Sequence, residues 1–284
     1  MPCSHRENTC HASHRGETAS VLTGPDANAI PPFDQRSKTV EIKEEARLET
    51  ELLYQTDAYL RSFKAVVLAV TGAEVALSST AFFPGGGGQP HDLGRLTLGD
   101  RTLPVRKVRR DGATVWHEIE GNPPPVSSTC KGELDWERRY ALMRTHTAFH
   151  ILCGVVWRDY GAKVTGGNME PLRGRMDFEF ESLRAEFVRE IEERVNAEVL
   201  QARPIRVDFL SREEADRHPD LIRTKVNLLP HDITRVRIVE IEGLDVQADG
   251  GTHLRSTQEV GRIRIVDYKS KGKINKRIEL AIED

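Results

Sequence analysis

The sequence predicts an α+β protein, in which a small N-terminal β-barrel precedes an α+β domain that has an antiparallel sheet with helices on one face. Two patterns indicate this fold class. Short apolar runs separated by glycine, aspartate and proline fill residues 52–119, which is typical of a small barrel. Residues 135–282 instead combine helical apolar stripes with strands that alternate every second residue. The composition, 38% hydrophobic and 30% charged, is that of a globular chain.

The first 47 residues differ from the rest of the chain in composition. They are rich in Ser, Thr, His, Pro and charged residues and contain few large apolar ones. Such a segment cannot bury enough surface to order itself, so we expect a disordered extension. Five of its residues are potential metal ligands, namely Cys3, His5, Cys10, His11 and His14. Their spacing fits no zinc motif, and an incidental tail is the favoured interpretation.

Five apolar runs predict the strands of the barrel, which we place at residues 48–122. The runs lie at residues 64–70, 74–77, 94–98, 103–108 and 113–119. Three consecutive prolines follow at residues 123–125 and favour an extended conformation. Residues 121–126 are therefore predicted to link the barrel to a metal-binding α+β domain at residues 127–284.

The second domain is predicted to begin with a long helix. Asp135 is a suitable N-cap residue, and Gly161 is a suitable terminator. A second helix is expected to start near Ser182 and to end before Pro204, because proline lacks the amide hydrogen that a helix interior needs. Strands are predicted at residues 175–181, 205–209, 235–242, 261–268 and 276–282.

Bulk properties exclude several classes of protein. The sequence has neither a run of 18 apolar residues nor an apolar N-terminal segment, so we expect no membrane span and no secretory signal. Its four cysteines are too few and too scattered for a disulfide scaffold, which favours a cytoplasmic location. A net charge of −3 argues against indiscriminate nucleic-acid binding. We therefore expect neither a membrane nor DNA as a partner.

Two segments about 100 residues apart offer paired metal ligands. His146 and His150 lie four positions apart in the predicted helix, so both imidazoles face one side. Two histidines at this spacing, taken alone, more often lie on an ordinary helix surface or make ordinary polar contacts. Asp249 and His253 flank a Gly-Gly pair, which by itself is equally typical of a simple β-turn. Together the four residues favour a metal site. Three nitrogens and one oxygen suit zinc best, with iron, cobalt and manganese as alternatives.

A run of four glycines forms a third unusual feature. Gly85, Gly86, Gly87 and Gly88 are followed directly by Gln89. The lysine and hydroxyl residue of a phosphate-binding P-loop are absent, so nucleotide hydrolysis is not indicated. A hairpin turn is the simpler alternative, but it does not need four glycines. We expect a backbone wall that packs closely against a ligand, with the Gln89 amide directed at that ligand.

Three motifs in this order resemble those of one family. Residues 82–94, 144–152 and 246–254 are similar to motifs of the AlaX proteins, freestanding relatives of the alanyl-tRNA synthetase editing domain. The resemblance extends from about residue 52 to residue 284. It implies the longer form of the family, with an N-terminal β-barrel. It also implies a trans-editing hydrolase that deacylates mischarged tRNA(Ala), chiefly Ser-tRNA(Ala), with tRNA as the partner.

The resemblance also implies the zinc ligands. They would be His146, His150, His253 and the residue at the position of Asp249, where the family usually has cysteine. Without sulfur the site is harder and less selective for zinc, so another divalent metal is an alternative. Asp249 is the expected fourth ligand, and Gln247 or water is the alternative.

Thr165 is the best match to a threonine that the family places towards the substrate. Its hydroxyl is expected to recognise a serine side chain or to position water, whereas a turn cap is the alternative role. Thr165 and Gln89 are therefore the predicted catalytic residues, and the four glycines are the predicted substrate-binding residues. A site that hydrogen-bonds the serine hydroxyl rejects alanine, which would leave polar atoms unpaired.

Two other functions stay open at this stage, as does the RNA-binding surface. One is a tRNA-binding module with a structural metal, and the other is a metallohydrolase of a different small ester. The C-terminal segment is locally basic and offers phosphate contacts or, equally, a solvated strand and turn. Its cations are Arg262, Arg264, Lys269, Lys271, Lys273, Lys276 and Arg277.

Overall fold

A computed structural model describes residues 48–180, 182, 184–218, 221 and 234–283. The N-terminal extension that we predict to be disordered, with its cysteines and histidines, lies outside these residues. No described helix combines the length and the apolar character that crossing a membrane requires.

The first part of the described chain forms a closed antiparallel barrel. Its strands are β1 (Glu51–Leu52), β2 (Ser62–Thr71), β3 (Glu74–Leu77), β4 (Ser79–Thr80), β5 (Gly94–Leu98), β6 (Arg101–Asp111), β7 (Thr114–Ile119) and β8 (Thr129–Leu134). The barrel order is β2-β3-β7-β6-β5-β8, while β1 pairs in parallel with β4. Buried residues such as Val67, Leu77, Leu96 and Val115 fill its interior. The predicted barrel is confirmed.

The strand that completes the barrel follows the proline-rich segment. We expected residues 121–126 to link two domains, but β8 lies after them, so the barrel extends to Leu134. Its buried positions are Cys130, Gly132 and Leu134. A Cβ atom on Gly132 would lie 2.3 Å from the Phe63 ring, so Phe63 fills the space that a larger residue would take. The division of the chain into domains stays a prediction.

The second part is α+β, as predicted. Its elements are α1 (Trp136–Tyr160), β9 (Val164–Glu170), β10 (Arg173–Glu179), α2 (Ala185–Leu200), β11 (Ile205–Ser211), α3 (Arg212–Asp216), β12 (Arg235–Ile241), β13 (Asp245–Ala248), β14 (Arg262–Ser270) and β15 (Asn275–Glu283). The strands are antiparallel but divide between two sheets, with orders β14-β15-β10-β9 and β11-β12-β13. Helices α1 and α2 share one core with the four-stranded sheet, which includes Phe149, Phe178, Ile191 and Ile263.

Helix α1 carries the predicted histidine pair and has the predicted ends. The Asp135 side chain accepts a hydrogen bond from the amide of Arg138 at 3.1 Å, which caps the first turn. Gly161 ends the helix with a φ of 64°, a left-handed conformation that glycine adopts without steric cost. Between these ends, His146 and His150 are both buried.

A buried ion pair joins α1 to the segment that contains the glycine loop. Arg139 Nε lies 3.0 Å from Asp92 Oδ2, and both side chains are almost fully buried. Asp92 Oδ2 also accepts from the amide of Phe83 at 2.6 Å. Removing one partner of such a pair would leave an uncompensated buried charge, which is strongly destabilising. Phe83 and Asp92 flank the loop, so its two ends are joined to each other and, through Asp92, to α1.

Candidate metal centre

The structure brings both pairs of predicted ligands together. Candidate ligand atoms of His146, His150, Asp249 and His253 all lie within 4.8 Å of one another. We call this group the four-ligand cluster. Oxygens of Asp249 lie 3.0 Å from His253 Nε2, 3.5 Å from His146 Nε2 and 4.0 Å from His150 Nε2. The Asp249 side chain is 17% exposed, against 6% or less for the three histidines. The cluster is therefore most open to solvent at Asp249.

The Gly-Gly pair lets the turn after β13 approach α1. A Cβ atom on Gly251 would lie 2.3 Å from Cε1 of His146 and 2.7 Å from Oε1 of Gln89, whereas one on Gly250 would meet nothing within 4 Å. The amide of Gly251 donates to Asp249 Oδ1 at 2.6 Å. This bond is the Asx contact typical of the turn that we considered as the alternative, and it lies in the same segment that places Asp249 in the cluster.

The two histidines of α1 are held from outside the cluster through Nδ1. His146 Nδ1 lies 2.9 Å from Gln89 Oε1, and His150 Nδ1 lies 3.0 Å from Asp245 Oδ2. A histidine whose Nδ1–H donates in this way keeps Nε2 free to bind a metal. His253 differs, because its buried Nδ1 has no hydrogen-bond partner among the described residues.

Burial and charge set the protonation of the cluster. Burial lowers the pKa of His146 to about 4, and burial with the neighbouring histidines lowers that of His253 well below its usual value. Burial acts against charge on His150 too, but the hydrogen bond to Asp245 and the negative charges of Asp245 and Asp249 together outweigh it and raise the pKa of His150. Burial would raise the pKa of Asp249, yet the surrounding histidines hold it well below the usual range. His146 and His253 are therefore neutral and Asp249 is ionised near neutral pH, as metal binding requires.

The four residues fit a divalent transition metal. Three imidazole nitrogens and one carboxylate oxygen form a complete donor set for a four-coordinate ion. The set contains no sulfur, so it also accepts metals that favour oxygen and nitrogen, such as iron, cobalt or manganese. The metal's identity stays a prediction.

Gln89 contacts His146 on the buried side of the four-ligand cluster. Its side chain is buried, and its Oε1 accepts from the amide of Thr252 at 3.1 Å in addition to contacting His146. Its Nε2 donates to Oγ1 of Thr252 at 2.9 Å. We predicted that this amide faces a ligand, but both of its ends contact the protein. These contacts hold the amide beside His146, and the catalytic role of Gln89 stays a prediction.

The glycine loop is a turn that packs closely on β9. All four glycines, residues 85–88, have positive φ, at 86°, 137°, 58° and 90°. Gly86 and Gln89 exchange two backbone hydrogen bonds, at 3.0 and 2.9 Å. A Cβ atom on Gly88 would lie 2.9 Å from the carbonyl oxygen of Gly167. The loop thus has the hydrogen bonds of a tight turn, and its close backbone approach is to β9. The expected contact with a ligand stays a prediction.

Thr165 and Gln247 contact groups outside the four-ligand cluster. Thr165 lies on β9, and its hydroxyl donates to Oδ1 of Asn275 at 2.7 Å. No hydrogen bond among the described residues connects Thr165 to the cluster. Gln247, the alternative fourth ligand, donates its Nε2 to Asp245 Oδ2 at 2.7 Å.

Four of the seven cations in the C-terminal segment have partners within the protein. The partners are the carbonyls of Gly272 and Lys273 for Lys276, Asp177 for Arg277, Asp267 and Glu279 for Lys269, and Glu192 for Arg264. Three of these cations are paired with carboxylates, and the Lys276 ammonium is held by backbone carbonyls. These four therefore favour the alternative of a solvated strand and turn over phosphate contacts. Phosphate binding in this segment stays a prediction.

Sequence reasoning missed Asp245. It is 2% exposed and contacts His150. One signal for it exists in the sequence, because residues 245, 247 and 249 alternate along β13 and its end, which directs them to one side. The contact itself joins residues 95 positions apart, which no local pattern predicts.

Comparison with known proteins identifies relatives. A family model described as "Threonyl and Alanyl tRNA synthetase second additional domain" matches residues 236–279. The "Alanyl-tRNA editing protein AlaX-M" of Methanosarcina barkeri (strain Fusaro / DSM 804) is 36% identical over 242 residues, 83% of this chain and 100% of the relative. Its namesake in Saccharolobus solfataricus is 36% identical over 82% of this chain and 99% of the relative.

A longer relative matches the same part of the chain. The "Alanine--tRNA ligase" of Pyrobaculum neutrophilum is 40% identical over 238 residues, which are 81% of this chain but only 26% of the ligase. This chain therefore corresponds to a portion of that ligase and to nearly the full length of the editing proteins. The chain belongs to the AlaX family of alanyl-tRNA editing proteins.

Proposed function

We propose that this protein is a metal-dependent trans-editing hydrolase that deacylates mischarged tRNA(Ala), chiefly Ser-tRNA(Ala). The observation that carries the proposal is the four-ligand cluster, whose ligand atoms lie within 4.8 Å of one another. The relatives that this chain matches over nearly their full length are named alanyl-tRNA editing proteins. These names support the editing activity and support tRNA as the partner.

The reaction is hydrolysis of an activated ester. One water molecule adds to the carbonyl carbon, the bond from that carbon to the ribose oxygen breaks, and the ribose oxygen takes a proton. The substrate needs a positioned water more than a strong nucleophile, since an aminoacyl ester is already reactive. A metal bound by the cluster would polarise the carbonyl or orient the water.

The residues around the cluster would position rather than react. Gln89 holds His146 and Thr252 through both ends of its amide. The glycine loop presents backbone close to β9, so it is suited to hold the aminoacylated end of tRNA without side chains in the way. The contacts support these roles, and substitution of Gln89 tests the first of them.

Selection of serine is assigned to Thr165. Its hydroxyl proton is used in the bond to Asn275, so its oxygen keeps lone pairs that accept a hydrogen bond. A seryl hydroxyl is able to donate to that oxygen, whereas an alanyl methyl group is not. Binding of an alanyl group is therefore disfavoured, because the Thr165 oxygen would have no donor to accept from.

The test is deacylation of purified Ser-tRNA(Ala), Gly-tRNA(Ala) and Ala-tRNA(Ala) by zinc-loaded protein. We expect Ser-tRNA(Ala) to be hydrolysed and Ala-tRNA(Ala) to persist. Treatment with a chelator should abolish the reaction, and added zinc should restore it. Binding of tRNA without hydrolysis would instead identify a tRNA-binding module with a structural metal. Hydrolysis of small amino-acid esters at rates equal to those for tRNA would identify a more general metallohydrolase.

A further inference from the structure

We propose that Asp245 is a positioning residue, which acts on the metal centre through His150. The inference rests on the proposed metal centre and names a residue outside the four-ligand cluster. His150 lies between two carboxylates of one segment, since Nδ1 is 3.0 Å from Asp245 Oδ2 and Nε2 is 4.0 Å from Asp249 Oδ2. A carboxylate only accepts hydrogen bonds, so Asp245 requires the imidazole proton on Nδ1. That leaves the lone pair of Nε2 directed at the cluster.

Neighbouring residues hold the Asp245 carboxylate in place. Gln247 donates Nε2 to the same oxygen, Oδ2, at 2.7 Å. On α1, Gly154 lies one turn after His150 and faces Asp245: a Cβ atom there would lie 2.8 Å from Cγ of Leu244 and 3.1 Å from Cβ of Asp245. Glycine inside a helix is destabilising relative to alanine. Its presence here allows β13 to come close enough for the Asp245–His150 contact.

The two helix histidines differ in the group that holds them. His146 faces the neutral amide oxygen of Gln89, whereas His150 faces a carboxylate. A hydrogen bond to a charged acceptor is stronger and makes the imidazole a more basic ligand. Since the cluster has no thiolate, Asp245 supplies additional negative charge next to the ligands from a position that the metal does not occupy.

The test compares Asp245→Leu and Asp245→Asn with Asp208→Asn, a change of an exposed carboxylate on β11. Long-range proton–nitrogen NMR on metal-free protein, at a pH high enough to make the His150 imidazole neutral, reports which of its nitrogens carries the proton. Chelator competition reports zinc affinity. We expect Nδ1–H in the wild type, a shift towards Nε2–H in Asp245→Leu, and a zinc affinity lower by about 10- to 100-fold. Asp245→Asn keeps an acceptor oxygen and should retain Nδ1–H with a smaller loss.

Gly154→Ala provides a second variant that keeps the carboxylate but displaces it. It should shift His150 in the same direction as Asp245→Leu. Thermal unfolding in chelator shows whether each variant is folded.

Two results in Asp245→Leu would together overturn the inference: an unchanged His150 tautomer, and a zinc affinity within about twofold of wild type. Such a small change in affinity is below the range expected on loss of a residue that hydrogen-bonds a metal ligand. Absence of zinc binding by the wild type would reject the metal centre itself. Zinc binding without deacylation would reject the proposed function but leave the role of Asp245 supported.

Discussion

The two sides of the metal centre make different contributions. The α+β side supplies all four candidate ligands, from α1 and from the turn after β13. The barrel side supplies Gln89 and the glycine loop, which contact the ligands and β9 without belonging to the cluster. Ligand identity is therefore set within the α+β side, whereas ligand orientation depends on the barrel side as well. Substitutions on the α+β side should therefore remove ligands, whereas substitutions on the barrel side should change only how the ligands are oriented.

The largest effect is expected from His253→Ala on the α+β side. It removes one of four ligands, so zinc affinity should fall by more than about 100-fold, beyond the usual cost of losing an outer hydrogen bond. Deacylation should fall with it. Zinc content by atomic absorption and the Ser-tRNA(Ala) assay measure both. His218→Ala, a change of an exposed histidine on α3's C-terminal side, is the control. Equal zinc content in the two variants would contradict the ligand assignment.

A second effect tests the turn that joins the two sides. Gly251→Ala introduces a Cβ atom 2.3 Å from His146 and 2.7 Å from Gln89 Oε1. Such overpacking costs about 1–3 kcal/mol of stability and should also displace His146 from the cluster. Gly250→Ala is the matched control, because its Cβ atom would meet nothing within 4 Å. Thermal unfolding and zinc titration should separate the two variants. If both variants have the same unfolding temperature and the same zinc affinity, the close packing at Gly251 does not determine the position of His146.

A smaller effect is expected from Gln89→Leu on the barrel side. The change removes the Oε1 contact to His146 and both bonds to Thr252 while it keeps a similar volume. Zinc affinity should decrease by about 10- to 100-fold, because an outer contact and not a ligand is lost. Gln258→Leu, at an exposed glutamine, is the control. A loss equal to that of His253→Ala would show that the barrel side contributes as much as a ligand does.

The sequence predicted the features that local patterns encode. Spacing along one helix and across one turn was sufficient to predict the four candidate ligands that the structure brings together. The N-cap at Asp135 and the terminator at Gly161 gave the bounds of α1. Features that depend on distant partners were missed. Strand β8 has Gly132 at the middle of its three buried positions, because Phe63 fills the space beside it. This glycine interrupts the apolar alternation that a pattern search detects.

The smallest effect is expected from Thr165→Val, which tests whether selectivity is separate from the metal centre. Thr165 contacts Asn275 and makes no described hydrogen bond to the four-ligand cluster, so zinc content should be unchanged. Loss of one neutral hydrogen bond should slow Ser-tRNA(Ala) deacylation by about 2- to 10-fold and affect Gly-tRNA(Ala) less, since glycine has no hydroxyl. Asn275→Ala frees the Thr165 hydroxyl proton and should also alter the ratio of the two rates. An unchanged ratio in both variants would remove Thr165 from serine recognition and leave the glycine loop of the barrel side as the candidate for that role.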